Sequence, residues 1–247
     1  MSLLATVAAP THDRWRIIVG GADEVLPTIR GAAMVHADPP WEYRSGGVFR
    51  GLDGGNAGTV TDHYADGTDE MIVRHLTALY ACAADPAYLI CWSTWPKLAE
   101  WMAASAAMPW AYVSGGAWAK VGRMGIGFHW RGDSEPVLLY RKGAPKAREA
   151  ISNTRVDEMT ADQIGAFASV RGKHSEKPVD FLRAMVRAFC PTDGLVLDLY
   201  AGRSPLGVAC VLENRPYVGI EIDPERAEIA RANIAGAVAR RHRGSNQ

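Results

Sequence analysis

The stretch "GLVLDLYAGRSPLGVACVLENRPYVGIEI", residues 194–222, decides the fold. Its first apolar run closes on Asp198 and is followed by a tight turn containing Gly202. A helical stretch then leads to a second apolar run, which closes on Glu221. Short apolar runs bounded by turn residues are the pattern of strands buried on both faces, and a helix between two of them implies a parallel pair. Working outward, "WRIIVGGADEVL" reads as strand, glycine turn and helix start, and "GAAMVHAD" as the next strand. "AYLICWS", "YVSGGAWAK" and "EPVLLYRKG" add further strands. Between the strands lie the helical stretches "TDEMIVRHLTALYACA", "WPKLAEWMAASAA", "KPVDFLRAMVRAFC" and "DPERAEIARANIAGAVARR". Strands alternating with helices predict an α/β fold with a doubly wound, mostly parallel sheet.

Length and composition restrict what this sheet belongs to. A chain of 247 residues is long enough for one α/β domain with a packed core, so a single domain over 1–247 is expected. Lys plus Arg and Asp plus Glu both number 27, so no global positive field draws the chain to a polyanion and any such partner needs a local patch. The four cysteines, Cys82, Cys91, Cys190 and Cys210, stand in apolar stretches without metal or redox spacing. They read as reduced core residues of a cytoplasmic protein. No apolar run approaches the length of a membrane span, and the amino-terminal residues lack the basic start of a secretion signal.

Two segments break the alternation. Residues 42–67 are rich in glycine and poor in aliphatics, and residues 141–175 are polar with scattered lysine and arginine. Loops of that length are commonly functional, and both are candidate substrate loops.

The strand "AMVHAD" ends in Asp38, followed by Pro39, Pro40 and Trp41. Ligands of open α/β sheets bind outside the carboxyl ends of the strands, which is where this motif falls. The prolines fix the backbone, so the Asp38 carboxylate and the Pro39 carbonyl form a rigid pair of acceptors for the two hydrogens of one exocyclic amine. Trp41 offers a face on which a planar base can stack. The same four residues also suit a stiff turn, and the motif alone does not separate the two readings.

The Gly202 turn and Glu221 supply the second constellation. Glycine lets the backbone approach a ligand, and an acidic residue ending the next strand can hold both hydroxyls of a ribose. This layout suits a nucleoside cofactor, nicotinamide and flavin included, and the full G-x-G-x-x-G fingerprint is absent. Upstream, "KHSEKPVDFLRAM" brings Lys177 to a helix start, where it can meet a carboxylate.

Together these residues resemble the adenine-N6 methyltransferases of the MT-A70-like group and, more broadly, the β-class DNA amino-methyltransferases, in which the catalytic motif precedes the cofactor motif. "MVHADPPW" resembles the catalytic motif, "HYADGTDEMIVRHL" and "YLICWSTWPKLAEWM" the segments after it, and "HSEKPVDFL" the lysine-proline motif. The stretch "WAKVGRMGIGFHWRGDSEPVLLYRKG" resembles the part across the second substrate loop. The resemblance covers most of the chain. It implies the Rossmann-like fold of a class I methyltransferase, S-adenosylmethionine as cofactor, and transfer to adenine in nucleic acid, DNA ahead of RNA. By position it assigns Asp38, Pro39, Pro40 and Trp41 to the flipped adenine. Asp198, Tyr200 and Gly202 fall along the methionine part of the cofactor, with Arg203 and Ser204 in the same turn. Glu221 falls on the ribose, Lys177 near the methionine carboxylate, and Asp23 near the cofactor adenine.

One departure stands out. β-class enzymes usually carry Phe-x-Gly-x-Gly at the cofactor turn, where this chain has Tyr200-Ala201-Gly202-Arg203-Ser204. Serine for the second glycine threatens to crowd the cofactor, although Gly-Arg is common in MT-A70-like turns. Two alternatives follow: a non-catalytic methyltransferase-like subunit that binds nucleic acid or a partner, and a cytosine-N4 methyltransferase. Neutral net charge suggests that a homodimer or partner subunit completes the nucleic-acid channel. Among other residues, Trp92, Trp95, Trp101 and Trp110 read as packing residues, His36 as buried beside the catalytic strand, and His129, Trp130, Arg131 and Glu135 as near the substrate entrance.

Overall fold

A computed structural model describes residues 14–40, 69–119, 134–149 and 176–244. Within these residues seven strands form one sheet: β1 (Trp15–Val19), β2 (Ala32–Ala37), β3 (Ala83–Trp92), β4 (Ala111–Ala119), β5 (Ser134–Lys142), β6 (Leu195–Asp198) and β7 (Tyr217–Glu221). Their order across the sheet is β1-β7-β6-β2-β3-β5-β4. The pairs from β1 to β3 are all parallel, and β5 runs antiparallel to both β3 and β4.

Among the described residues six α-helices cover the sheet: α1 (Ala22–Val25), α2 (Asp69–Cys82), α3 (Leu98–Ser105), α4 (Val179–Phe189), α5 (Pro205–Leu212) and α6 (Pro224–Gly244). The central strands send alternate side chains into two cores. Leu89 and Cys91 of β3, with Val218 and Ile220 of β7, pack against Ile72, Leu76 and Leu79 of α2 and Trp101 of α3. Ile90, Trp92 and Tyr217 point the other way, into a core closed by Phe181, Leu182, Met185 and Val186 of α4, by α5, and by Ala230 and Ile234 of α6. Burial on both faces explains why these strands are unbroken apolar runs rather than alternating ones. All four cysteines are buried free thiols within this packing. No helix among the described residues is long and apolar enough to cross a membrane.

The topology fixes where a ligand can bind. From β2 the chain proceeds through α2 to β3 on one side, whereas from β6 it proceeds through α5 to β7 on the other. The adjacent strands β2 and β6 therefore form the switch point, and a crevice opens between their carboxyl ends. The antiparallel β5 is the exception in the mostly parallel sheet that the sequence suggests. Its reversed direction brings its first residues, Ser134 and Glu135, to the same edge of the sheet as the carboxyl end of β3. The hydrogen bond from Ser93 N–H to the Pro136 carbonyl, 3.0 Å, marks that level.

The α5 start is shaped by tight packing. A Cβ added at Gly207 would strike Ser204 Oγ and would lie 2.6 Å from Ile234 Cδ1 and 2.8 Å from Tyr217 Cε1. Overpacking of this kind costs about 1–3 kcal/mol. Gly207→Ala is therefore expected to lower the unfolding temperature by roughly 2–12 °C in a thermal melt, since each kcal/mol is worth about 2–4 °C in a chain of this size. An unchanged melt contradicts this packing.

Candidate active site

The seam between β2 and β6 is crossed by buried polar groups. His36 stands opposite Asp198 in the β2–β6 register, and His36 Nδ1 lies 2.9 Å from Asp198 Oδ1. Trp92 Nε1–H donates to His36 Nε2 at 2.9 Å. An indole nitrogen can only donate, so Nε2 is the acceptor and the ring is the neutral tautomer whose Nδ1–H donates to Asp198. The other Asp198 oxygen accepts from Tyr217 Oη–H at 2.9 Å, and Ser204 Oγ–H donates to Tyr217 Oη at 2.7 Å. Burial, reinforced by the Asp198 charge, pushes the Tyr217 phenol well up, so it remains a donor. Both oxygens of a buried carboxylate are thus satisfied, which is what makes its burial tolerable.

Beyond that register the two strands deliver the candidate residues. Asp38 follows His36 by two positions and Tyr200 follows Asp198 by two, so they rise on either side of the crevice. Asp38 is partly exposed, Pro39 is buried and Pro40 is partly exposed. Trp41 and residues 42–67 lie outside the described residues, as do 150–175 of the second loop and His129, Trp130 and Arg131.

Lys177 joins three elements. Its Nζ lies 2.6 Å from Asp38 Oδ2 and 3.0 Å from Glu135 Oε2, and 4.7 Å from the centroid of the Trp92 ring. Burial opposes the ammonium, yet the Asp38 and Glu135 carboxylates outweigh it and hold the Lys177 pKa above its ordinary value of 10.5. The resemblance expects Lys177 to meet a cofactor carboxylate. In this structure the carboxylates it meets belong to Asp38 and Glu135.

The turn after β6 carries the remaining candidates. Gly202 has φ +54, and a Cβ placed there would meet nothing within 4 Å, so the turn is open on that side. Gly202 N–H donates to Glu221 Oε2 at 2.7 Å, and Asp223 N–H donates to Glu221 Oε1 at 2.9 Å. A carboxylate oxygen has two lone pairs, so Glu221 retains acceptor capacity towards a hydroxyl. Ser204 adopts φ +59, ψ 51, the left-handed conformation that favours glycine. Its side chain turns inward to Tyr217 and is fully buried, away from the open side of Gly202. Arg203 Nε is buried without a hydrogen-bond partner, and the Arg203 carbonyl accepts from Asn233.

Asp23 stands apart from Asp38 in a separate cluster. It pairs with Arg74 at 3.0 Å and faces His75 Nε2 at 3.5 Å, while His75 Nδ1 lies 2.9 Å from Tyr200 Oη. The Arg74 hydrogen bond lowers the Asp23 pKa, and burial is the main cause that lowers that of His75. The candidates therefore fall into three groups: Asp38 with Lys177, Gly202 with Glu221, and Asp23 with Tyr200 through His75. The side chains of Asp198 and Ser204 lie in the buried seam beneath them.

Several partners escaped sequence reading. Sequence places Glu135 only near an entrance, because its pairing with Lys177 depends on the antiparallel register of β5. Trp92, Trp101 and Trp110 are buried as read, but Trp95 is 50% exposed, with its Nε1–H on Ser134 Oγ at 3.0 Å. An aromatic directly before a proline, just past the end of β3, is the signal that sets Trp95 apart from the core tryptophans.

Comparison with known proteins adds to this geometry. A family model described as DNA methylase, covering N6 and N4 methyltransferases, matches residues 66–232. The type II methyltransferase M2.MboI of Moraxella bovis is 33% identical over 69 residues, 28% of this chain and 25% of that protein. The match thus spans a quarter of that relative's length. YubD of Escherichia coli K12, whose name carries only a provisional methylase assignment, is 25% identical over 213 residues, 84% of each chain. Among solved structures, the M1.HpyAVI–SAM complex superposes with a TM-score of 0.61 at 12% identity, covering 88% of this chain and 97% of that one. The cytosine-N4-specific PvuII DNA methyltransferase gives 0.64 at 12% identity, covering 96% and 94%. The sheet with its helices is thus the fold of class I S-adenosylmethionine-dependent methyltransferases.

The raised pKa of Lys177 makes a stability prediction. Its proton is held more tightly folded than unfolded, so its contribution is complete below about pH 10 and is lost as pH rises through the folded value. Denaturant unfolding of wild type and Lys177→Met should differ by about 2 kcal/mol at neutral pH, less than the ~3–5 of a fully buried pair because Asp38 is partly exposed. That gap should narrow towards pH 12. A gap independent of pH contradicts the assignment.

Proposed function

Because the chain belongs to the N6/N4 DNA methylase family, we propose that it transfers a methyl group from S-adenosylmethionine to the N6 amine of adenine in DNA. The observation that carries this reading is the β2–β6 register, in which Asp38 and the Gly202 turn rise from neighbouring parallel strands beside one crevice.

The residues around the turn fit the cofactor. The open side of Gly202 leaves room for close approach, Glu221 beside it has acceptor capacity for ribose hydroxyls, and the unpartnered Arg203 Nε is a donor awaiting an acceptor. Tyr200 and the backbone from Asp198 to Ser204 would line the methionine part, and Asp23 with His75 the adenine end. The inward turn of Ser204 removes the crowding that a serine in place of glycine suggests. That supports cofactor use over a non-catalytic subunit. When bound, the cofactor supplies a methyl group activated by a sulfonium.

The protein's own contribution is to prepare the nitrogen. An adenine amine is a poor nucleophile because its lone pair is delocalised into the ring. The Asp38 carboxylate and the Pro39 carbonyl accept its two N–H groups and favour a more tetrahedral nitrogen whose lone pair faces the methyl group. Trp41 stacks on the base. No strong base is needed before attack, since the proton is acidic once nitrogen carries the new methyl and a positive charge. A duplex hides this amine, so the base is flipped out before reaction. Trp95, exposed beside the end of β3, is positioned to meet the nucleic acid at the mouth.

Asp-Pro-Pro-Trp and the Gly202-Arg203 pair support the MT-A70-like adenine branch of the family. A second reading, methylation of cytosine N4, is favoured by the likeness to the PvuII enzyme, and the same acceptor pair suits that amine.

Asp38→Ala should lower transfer of labelled methyl to DNA by about 10³-fold or more while leaving cofactor affinity, measured by calorimetric titration, within a few-fold of wild type. Retained turnover contradicts the role of Asp38.

A further inference from the structure

Resting on that reading, we infer that His75 is a positioning residue of the cofactor site: by accepting the Tyr200 hydroxyl it pins the ring that precedes the Gly202 turn.

His75 stands on the face of α2 that packs on the sheet. Ile72, Leu76 and Leu79 line that face at helical spacing and are fully buried, and His75 falls in the same stripe at 6% exposure. A buried imidazole there requires polar partners. Its Nδ1 lies 2.9 Å from Tyr200 Oη, and its Nε2 faces Asp23 Oδ1 at 3.5 Å. Asp23 is itself held by Arg74, 3.0 Å away. Burial pushes the His75 pKa down and the Tyr200 phenol up, so at neutral pH the imidazole carries one N–H and the phenol keeps its proton. A carboxylate accepts and does not donate, so the His75 N–H is directed at Asp23 and Nδ1 accepts from Tyr200.

Tyr200 is thereby fixed at both ends. On either side of it, Leu199 N–H donates to the His36 carbonyl at 3.0 Å and Ala201 N–H donates to the Ile220 carbonyl at 2.9 Å, which clamps its backbone to β2 and β7. Its hydroxyl reaches α2. The His75 and Tyr200 ring centroids lie 6.2 Å apart at an interplanar angle of 43°, so the two side chains meet through the hydrogen bond rather than by stacking. A side chain that is mobile in the free protein must be ordered when a ligand packs against it, and that ordering weakens binding; a ring already held at backbone and hydroxyl avoids the loss. His75 acts on the methionine part of the cofactor through Tyr200. Its effect therefore belongs in cofactor affinity.

The test is calorimetric titration of S-adenosylmethionine into wild type, His75→Leu, His75→Asn, Tyr200→Phe and the double variant His75→Leu/Tyr200→Phe, with a thermal melt of each without cofactor. His75→Leu and Tyr200→Phe are each expected to weaken binding about 5- to 20-fold, the range of one hydrogen bond. Both delete the same bond, so the double variant should bind about as weakly as the weaker single one. His75→Asn sets an amide where Nδ1 stands and should bind within about threefold of wild type. A lowered melt with unchanged affinity in His75→Leu shows a purely structural histidine and overturns the inference. Losses that multiply in the double variant overturn it too, as does a His75→Asn as impaired as His75→Leu. If His75→Leu does not fold, weakened binding in Tyr200→Phe beside near-wild-type binding in His75→Asn supports the inference, and any other pattern overturns it. A wild type that binds no S-adenosylmethionine overturns the proposed function and this inference with it, whereas a wild type that binds beside an unimpaired His75→Leu overturns only the role of His75.

Discussion

The bond between His36 and Asp198 spans the seam on which the rest of the structure depends. It lies at the switch point, where the connections of β2 and β6 leave in opposite directions, and it is fully enclosed between the two strands. A carboxylate buried there is costly unless its acceptors are filled; His36 and Tyr217 fill them, backed in turn by Trp92 and Ser204. Each member comes from a different element, so satisfying one carboxylate ties β2, the Gly202 turn and β7 into a fixed relation. Directly above it, those strands deliver Asp38 and Tyr200.

A second buried charge is managed differently. Lys177 is neutralised by two carboxylates from elements far apart in the chain, one from the end of β2 and one from the start of β5. Trp92 belongs to both arrangements, since its N–H serves His36 and its ring faces Lys177. The seam and the Asp38–Lys177 pair thus share one side chain. The left-handed Ser204 fits the same logic. A non-glycine residue in that conformation costs of order 1 kcal/mol, and a buried hydroxyl with a good partner offsets it.

Much of this was legible in sequence because it sits at strand ends. Asp38, Asp198 and Glu221 each close an apolar run, and Gly202 follows one, so the crevice residues could be named before their geometry was known. The doubly wound arrangement followed from strands alternating with helices. What could not be read is what depends on register and rotamer. The Lys177–Glu135 contact requires β5 to run antiparallel, and nothing local in "DSEPVLLYRKG" states a direction. The inward turn of Ser204 requires Tyr217, thirteen residues on, to present its hydroxyl at the right height. Trp95 is exposed where it opens a short 3-10 turn just past the end of β3, whereas Trp92, Trp101 and Trp110 pack into the two cores.

On the proposed reading, two fixed acceptors prepare an adenine amine for methylation. Nucleoside mass spectrometry of DNA treated with the purified protein and methyl-labelled S-adenosylmethionine tests it most directly. The account predicts label in N6-methyladenine. Label in N4-methylcytosine alone, or no label in DNA, would contradict it.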